Sequence, residues 1–130
     1  MAIPNMSDFV DRLPPYLLDQ GSQPPWAVAS DVAELLALVI ETLSTHFEIR
    51  DNVAIHRSAS VHSSVVITGP TIVDEEAVIG PYCRLREGVF LGQQSSLGPS
   101  TEVKSSIVSA GSALAHLNYV GNSVIGENVY

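Results

Sequence analysis

The sequence contains one cysteine, one tryptophan, and six lysines and arginines set against fourteen aspartates and glutamates. The single thiol, Cys83, excludes an intrachain disulfide and suits a reducing compartment. The shortage of bases leaves a net charge of −8, which repels phosphate backbones and argues against nucleic acid as a partner. Residues 1–52 hold eight acids and two bases, whereas residues 53–130 hold six acids and four bases, so the excess charge lies in the first part. Long apolar runs are also missing. The most apolar window, Ala33 to Leu43, contains Glu34 and Glu41 and is too short to span a bilayer. Met1 to Phe9 has no basic start followed by an apolar stretch, as a secretory leader would. The reading is a soluble, cytoplasmic protein with no membrane partner. Aromatic residues are few, which suits a narrow interior filled by Val, Ile, Leu and small side chains.

What is present is a beat of six. Ile55, Val61, Ile67, Val73, Ile79, Leu85, Leu91, Leu97 and Val103 follow one another at six-residue intervals, and Val108, Leu114, Val120 and Ile125 continue the series with two shortened steps. Four residues after each of the first nine stands a second, mostly smaller residue: Ala59, Val65, Thr71, Ala77, Cys83, Val89, Ser95, Thr101 and Ile107. One large and one small inward position per six residues is the pattern of a hexapeptide-repeat β-helix. Three hexapeptides close one triangular coil, so the region holds about four coils. Cys83 falls on a small inward position and reads as a packed core thiol.

Residues 1–50 read as a helical extension. Ser7 caps a short helix through Leu13, and Pro14 and Pro15 end it. A longer helix is expected from about Ser30 to His46, with Ser30 or Asp31 as N-cap and Glu34 completing a capping box. Val32, Leu35, Leu36, Val39, Ile40 and Leu43 lie on one face of it. That face is expected to cover the open N-terminal end of the β-helix, where strand edges are otherwise unpaired, or to meet another subunit.

The register locates outward-facing chemistry. Arg86 follows Leu85 and Lys104 follows Val103, at positions where other coils have glycine. They are one coil apart and therefore stack on one face, roughly 4.8 Å from each other. Cations that close need negative charge between them. Either an anion such as phosphate is bound, or Glu87, Glu102 or a neighbouring subunit pairs with them. His116 occupies an outward position, where it is either a general base or simply exposed. His56 and His62 point from different faces and read as surface residues, and no metal site is expected.

Gly80-Pro81-Tyr82-Cys83-Arg84-Leu85-Arg86, Glu102-Val103-Lys104, His116-Leu117-Asn118-Tyr119-Val120-Gly121 and Val124-Ile125-Gly126-Glu127-Asn128-Val129 carry a resemblance. From about Asp51 to Tyr130 the chain resembles the acetyltransferase domain of bacterial bifunctional glucosamine-1-phosphate acetyltransferase/N-acetylglucosamine-1-phosphate uridyltransferases. The helix near Trp26 also looks like the linker before this domain in sugar-phosphate nucleotidyltransferases. The resemblance implies a left-handed β-helix, a homotrimer with sites between subunits, and acetyl-CoA as co-substrate. It implies that Arg86 and Lys104 hold a sugar phosphate, that Tyr119 helps bind it, and that His116 is the base for an amino-sugar amine. The uridyltransferase domain has no counterpart in residues 1–50, and further coils of the family, which supply most of the acetyl-CoA site, are expected to be missing beyond Tyr130. The alternative is a non-catalytic trimeric module that binds a sugar phosphate or nucleotide sugar.

Overall fold

The structure, a computed structural model, describes residues 3–8, 10, 14, 17 and 21–130. The six-residue beat builds a parallel β-helix of about four coils. Its strands are short because each face of a coil accommodates only a few residues before the next corner. On the first face lie β2 (Val53–His56), β5 (Thr71–Val73), the end of β7 (Arg84–Leu91), the end of β9 (Glu102–Val108) and β12 (Val124–Ile125). The second face carries β3 (Ser60–Val61), β6 (Val78–Ile79), β8 (Ser96–Leu97) and β10 (Ala113–Leu114). The third holds β4 (Val66–Ile67), the starts of β7 and β9, and β11 (Tyr119–Gly121). All of these pair in parallel.

The interior is the expected one. Val73, Ile79, Leu85, Leu91, Leu97, Val103 and Val108 are buried, with Ala77, Cys83 and Val89 beside them. Two of the small hydroxyls that share this interior bond to nearby backbone, as most buried polar groups do. Thr101 Oγ1 donates to the Ala115 carbonyl at 3.0 Å, and Ser95 Oγ to that of Gly92 at 2.7 Å. The Cys83 thiol is buried and lies 3.2 Å from the Gly98 carbonyl oxygen. The shortened step after Val103 moves one position: Ser106 is the buried hydroxyl there, while Ile107 belongs to a second apolar cluster outside the coil.

That second cluster corrects the expected helix position. Ala54, Ile72, Phe90, Ile107 and Val124 face one another in register along the outer surface of the first face. Helices α1 (Pro25–Ser30) and α2 (Val32–Ile40) pack across this apolar column with Val28, Val32, Leu36, Val39 and Ile40. They therefore cover a flank rather than the N-terminal end. An outward aliphatic column in a sheet needs an apolar partner, and the amphipathic helix supplies one. The end is bordered instead by β1 (Phe47–Arg50), which runs antiparallel to β2. Arg57 fastens that hairpin, donating from Nε to the Thr45 carbonyl at 3.0 Å and from Nη1 to Glu48 at 3.1 Å. Ile55, Val61, Val65 and Ile67 remain partly exposed at the open end.

The helix also starts earlier than expected. Pro25 occupies the first helical turn, where its missing N–H costs nothing. Asp31 interrupts the helix with φ −106° and makes no side-chain cap, so the capping box with Glu34 does not form. The Ser30 hydroxyl bonds back to the Ala27 carbonyl at 3.0 Å. Near the chain start, Met6–Asp8 form a 3-10 turn. Of the rest of the helix expected through Leu13 only Val10 is described, and its N–H donates to the Met6 carbonyl at 3.0 Å.

Candidate functional site

The third face carries the charged constellation. Arg86 and Lys104 are direct cross-strand partners on β7 and β9, and Gly121 of β11 continues the column. The parallel outer column reads Val66, Arg84, Glu102 and Tyr119. Two outward residues per strand on a pleated face produce these paired columns. Arg84, exposed beside Glu102, is thus a further cation on the same face, and the alternation in Arg84-Leu85-Arg86 is the signal for it.

Two carboxylates hold the cations. Arg86 Nε donates to Glu102 Oε2 at 2.6 Å, and its Nη1 donates to Glu87 Oε2 at 2.6 Å. The same Glu87 oxygen stands 3.9 Å from Lys104 Nζ. The hydrogen bond to Glu102 holds the Arg86 guanidinium above its usual pKa range; desolvation opposes it, and Glu102, Glu87 and Tyr119 add to it through their charge. Arg86 therefore remains a cation at every pH a protein survives. Arg86 and Lys104 are each 28% exposed in their side chains, so both remain reachable by a ligand.

Tyr119 lies over this face. A Cβ built on Gly121 would stand 2.5 Å from the Tyr119 hydroxyl, which places the phenol across the position next to Lys104 in the column. A side chain at residue 121 would displace it. The structure thus groups Arg86, Lys104 and Tyr119 on one face. His116 sits elsewhere, exposed on the corner that precedes β11, while Arg86 and Lys104 lie where their strands leave the face. Gly98 lets that corner close: a Cβ there would stand 2.8 Å from the His116 backbone nitrogen. His56 and His62 each bond a nearby serine hydroxyl through Nδ1, at 2.8 and 2.7 Å.

Residues 49–130 match the family model described as the GMPPB C-terminal domain. The chain belongs to this family. It is similar to the bifunctional protein GlmU of Thermotoga petrophila, with 35% identity over 82 residues, 63% of this chain and 17% of that protein. With the bifunctional protein GlmU of Staphylococcus epidermidis it shares 36% identity over 77 residues, 59% of this chain and 17% of the relative. With that of Bordetella parapertussis it shares 47% over 57 residues, 44% of this chain and 12% of the relative. The chain spans less than a fifth of the length of these relatives. No solved structure matches it. The matched span begins at Ile49, where the antiparallel hairpin opens the β-helix, so the flanking helices lie outside it.

The shortened step at Val108 takes the form of a bulge on β7. The ladder between β7 and β9 shifts register between Arg86 and Val89, and Glu87 and Gly88 form the bulge. The signal is in the spacing: Leu85 to Leu91 takes six residues, Val103 to Val108 only five.

Proposed function

We propose that this β-helix binds an amino-sugar phosphate on its third face and contributes to acetyl transfer from acetyl-CoA onto the sugar amine. The register pairing of Arg86 with Lys104 carries the reading: it makes two adjacent donors for one phosphate, one planar and forked, the other a point charge. Tyr119, lying over the same column, contacts the sugar phosphate through its hydroxyl. His116 takes the proton from the substrate ammonium, because only the neutral amine is a nucleophile. The amine then attacks the thioester carbonyl, the C–S bond breaks to release CoA thiolate, and the proton lost from the new amide nitrogen passes to that thiolate. In a homotrimer His116 and the phosphate-binding column of one chain reach a common cleft with a neighbouring chain. The likeness to the GlmU proteins supports a transferase of this family, and the sequence resemblance at Arg86, Lys104, His116 and Tyr119 motivates the individual roles.

A second reading is favoured by the internal pairing of both cations and by the separate corner on which His116 stands. It is a trimeric module that holds a sugar phosphate or nucleotide sugar without turnover. The deciding assay is release of CoA thiol from acetyl-CoA in the presence of glucosamine-1-phosphate, by the full natural protein and by its His116→Ala variant. Acetyl transfer requires turnover and its loss in the variant; saturable binding without turnover supports the module.

A further inference from the structure

Glu87 occupies an unusual place for a carboxylate. It stacks at one corner with Ser105 and Asn122, all three with positive φ (57°, 46° and 50°). The Ser105 hydroxyl donates to the Glu87 carbonyl at 2.7 Å, which fixes the stacking. The two stacked partners are uncharged, so the corner geometry does not call for a carboxylate. Its placement depends on the bulge. Gly88, with φ 96°, is the bulged residue that backs directly onto α2: a Cβ there would stand 2.7 Å from Ala33 Cα. The helix thus holds the corner in place from behind while the Glu87 side chain projects forward, 56% exposed.

The donors are divided unequally. Glu102 takes Nε of Arg86. Glu87 takes Nη1 of Arg86 and stands nearest Lys104 Nζ. A phosphate bridging Arg86 and Lys104 competes with Glu87, whose Oε2 accepts from Arg86 Nη1 and stands 3.9 Å from Lys104 Nζ. We propose that Glu87 is a displaceable carboxylate occupying the anion seat of this face, so that a ligand phosphate binds by exchanging with it. This rests on the phosphate-binding reading above. Glu87 keeps the two cations compatible when no ligand is present and weakens binding of every anion by the strength of its own contacts. Being largely exposed, it leaves by a side-chain rotation and needs no movement of the strand. Glu102 then stays on Nε and keeps the guanidinium oriented.

The test is calorimetric titration of the protein with glucosamine-1-phosphate. Glu87→Gln is expected to bind about three- to tenfold more tightly than the unmodified chain, the range for loss of one partly exposed charged contact. Glu87→Asn, which tolerates a positive φ, is expected to shift in the same direction. Glu76→Gln, a neutralised acid on a different corner, is expected to change affinity less than twofold, which excludes a general charge effect. Glu102→Gln is expected to weaken binding, because Arg86 loses its orienting partner. Equal or weaker binding in both Glu87 variants, with melting temperatures unchanged, overturns the proposal. If Arg86→Ala binds as well as the unmodified chain, the anion-seat reading itself falls, whatever Glu87 does.

Discussion

Arg86 and Lys104 would repel one another at their cross-strand distance without the carboxylates beside them. Their residue-level roles separate in mutation. Arg86→Ala removes a forked donor to phosphate and is expected to raise the Kd for glucosamine-1-phosphate about ten- to hundredfold. Lys at position 86 is expected to recover only part of that, because it lacks the planar fork. His116→Ala is expected to leave binding within a few-fold and to lower kcat by about a hundredfold or more, the usual contribution of a general base. A steady-state series in glucosamine-1-phosphate separates the two effects; a change in KM alone would remove His116 from the chemistry. Both cation positions could be found from register, since Leu85 and Val103 point inward and their neighbours must point out. The carboxylates were foreseen only as possible partners, because which of several acids reaches a guanidinium depends on corner geometry that a six-residue beat does not contain.

At the scale of elements, the helical flank and the coil stand or fall together. Phe90 is buried between α2 and the coil surface, in register with Ile72 and Ile107. Phe90→Ala is expected to destabilise the fold by about 3–5 kcal/mol, measured by urea unfolding, since it opens a cavity in this seam. A change below ~1 kcal/mol would mean that the helices do not rest on the column. The inner columns were legible because every sixth residue faces the axis whatever lies outside. The outer apolar column was not, although Ala54, Ile72, Phe90, Ile107 and Val124 are spaced at eighteen or seventeen residues. It occupies one face in three, and the other two carry Val66, Val78 and Tyr119 exposed at the equivalent position. Ile107 stands four residues after Val103, the spacing of an inward position, but the shortened step gives that position to Ser106. The capping box failed for a local reason: Pro25 nucleates the helix upstream, leaving Asp31 as an interruption rather than a start.

For the whole molecule, the corner between the second and third faces exposes Tyr82 and Leu117, 73% and 76% accessible, beside His116. Such side chains are available for contact with a second chain. The proposed homotrimer is expected to use that corner. Light scattering is expected to give three times the 13.9 kDa chain mass, and Leu117→Asp to shift it toward the monomer. A chain monomeric at high concentration would separate the β-helix from the trimeric reading. The anion seat is the more central claim, and one titration addresses it: glucosamine-1-phosphate against the unmodified protein and its Lys104→Ala variant, with circular dichroism to establish that both are folded. Saturable one-to-one binding that weakens at least tenfold in the variant is the expected result. Equal affinity in two folded proteins would contradict the assignment of this face as the phosphate site.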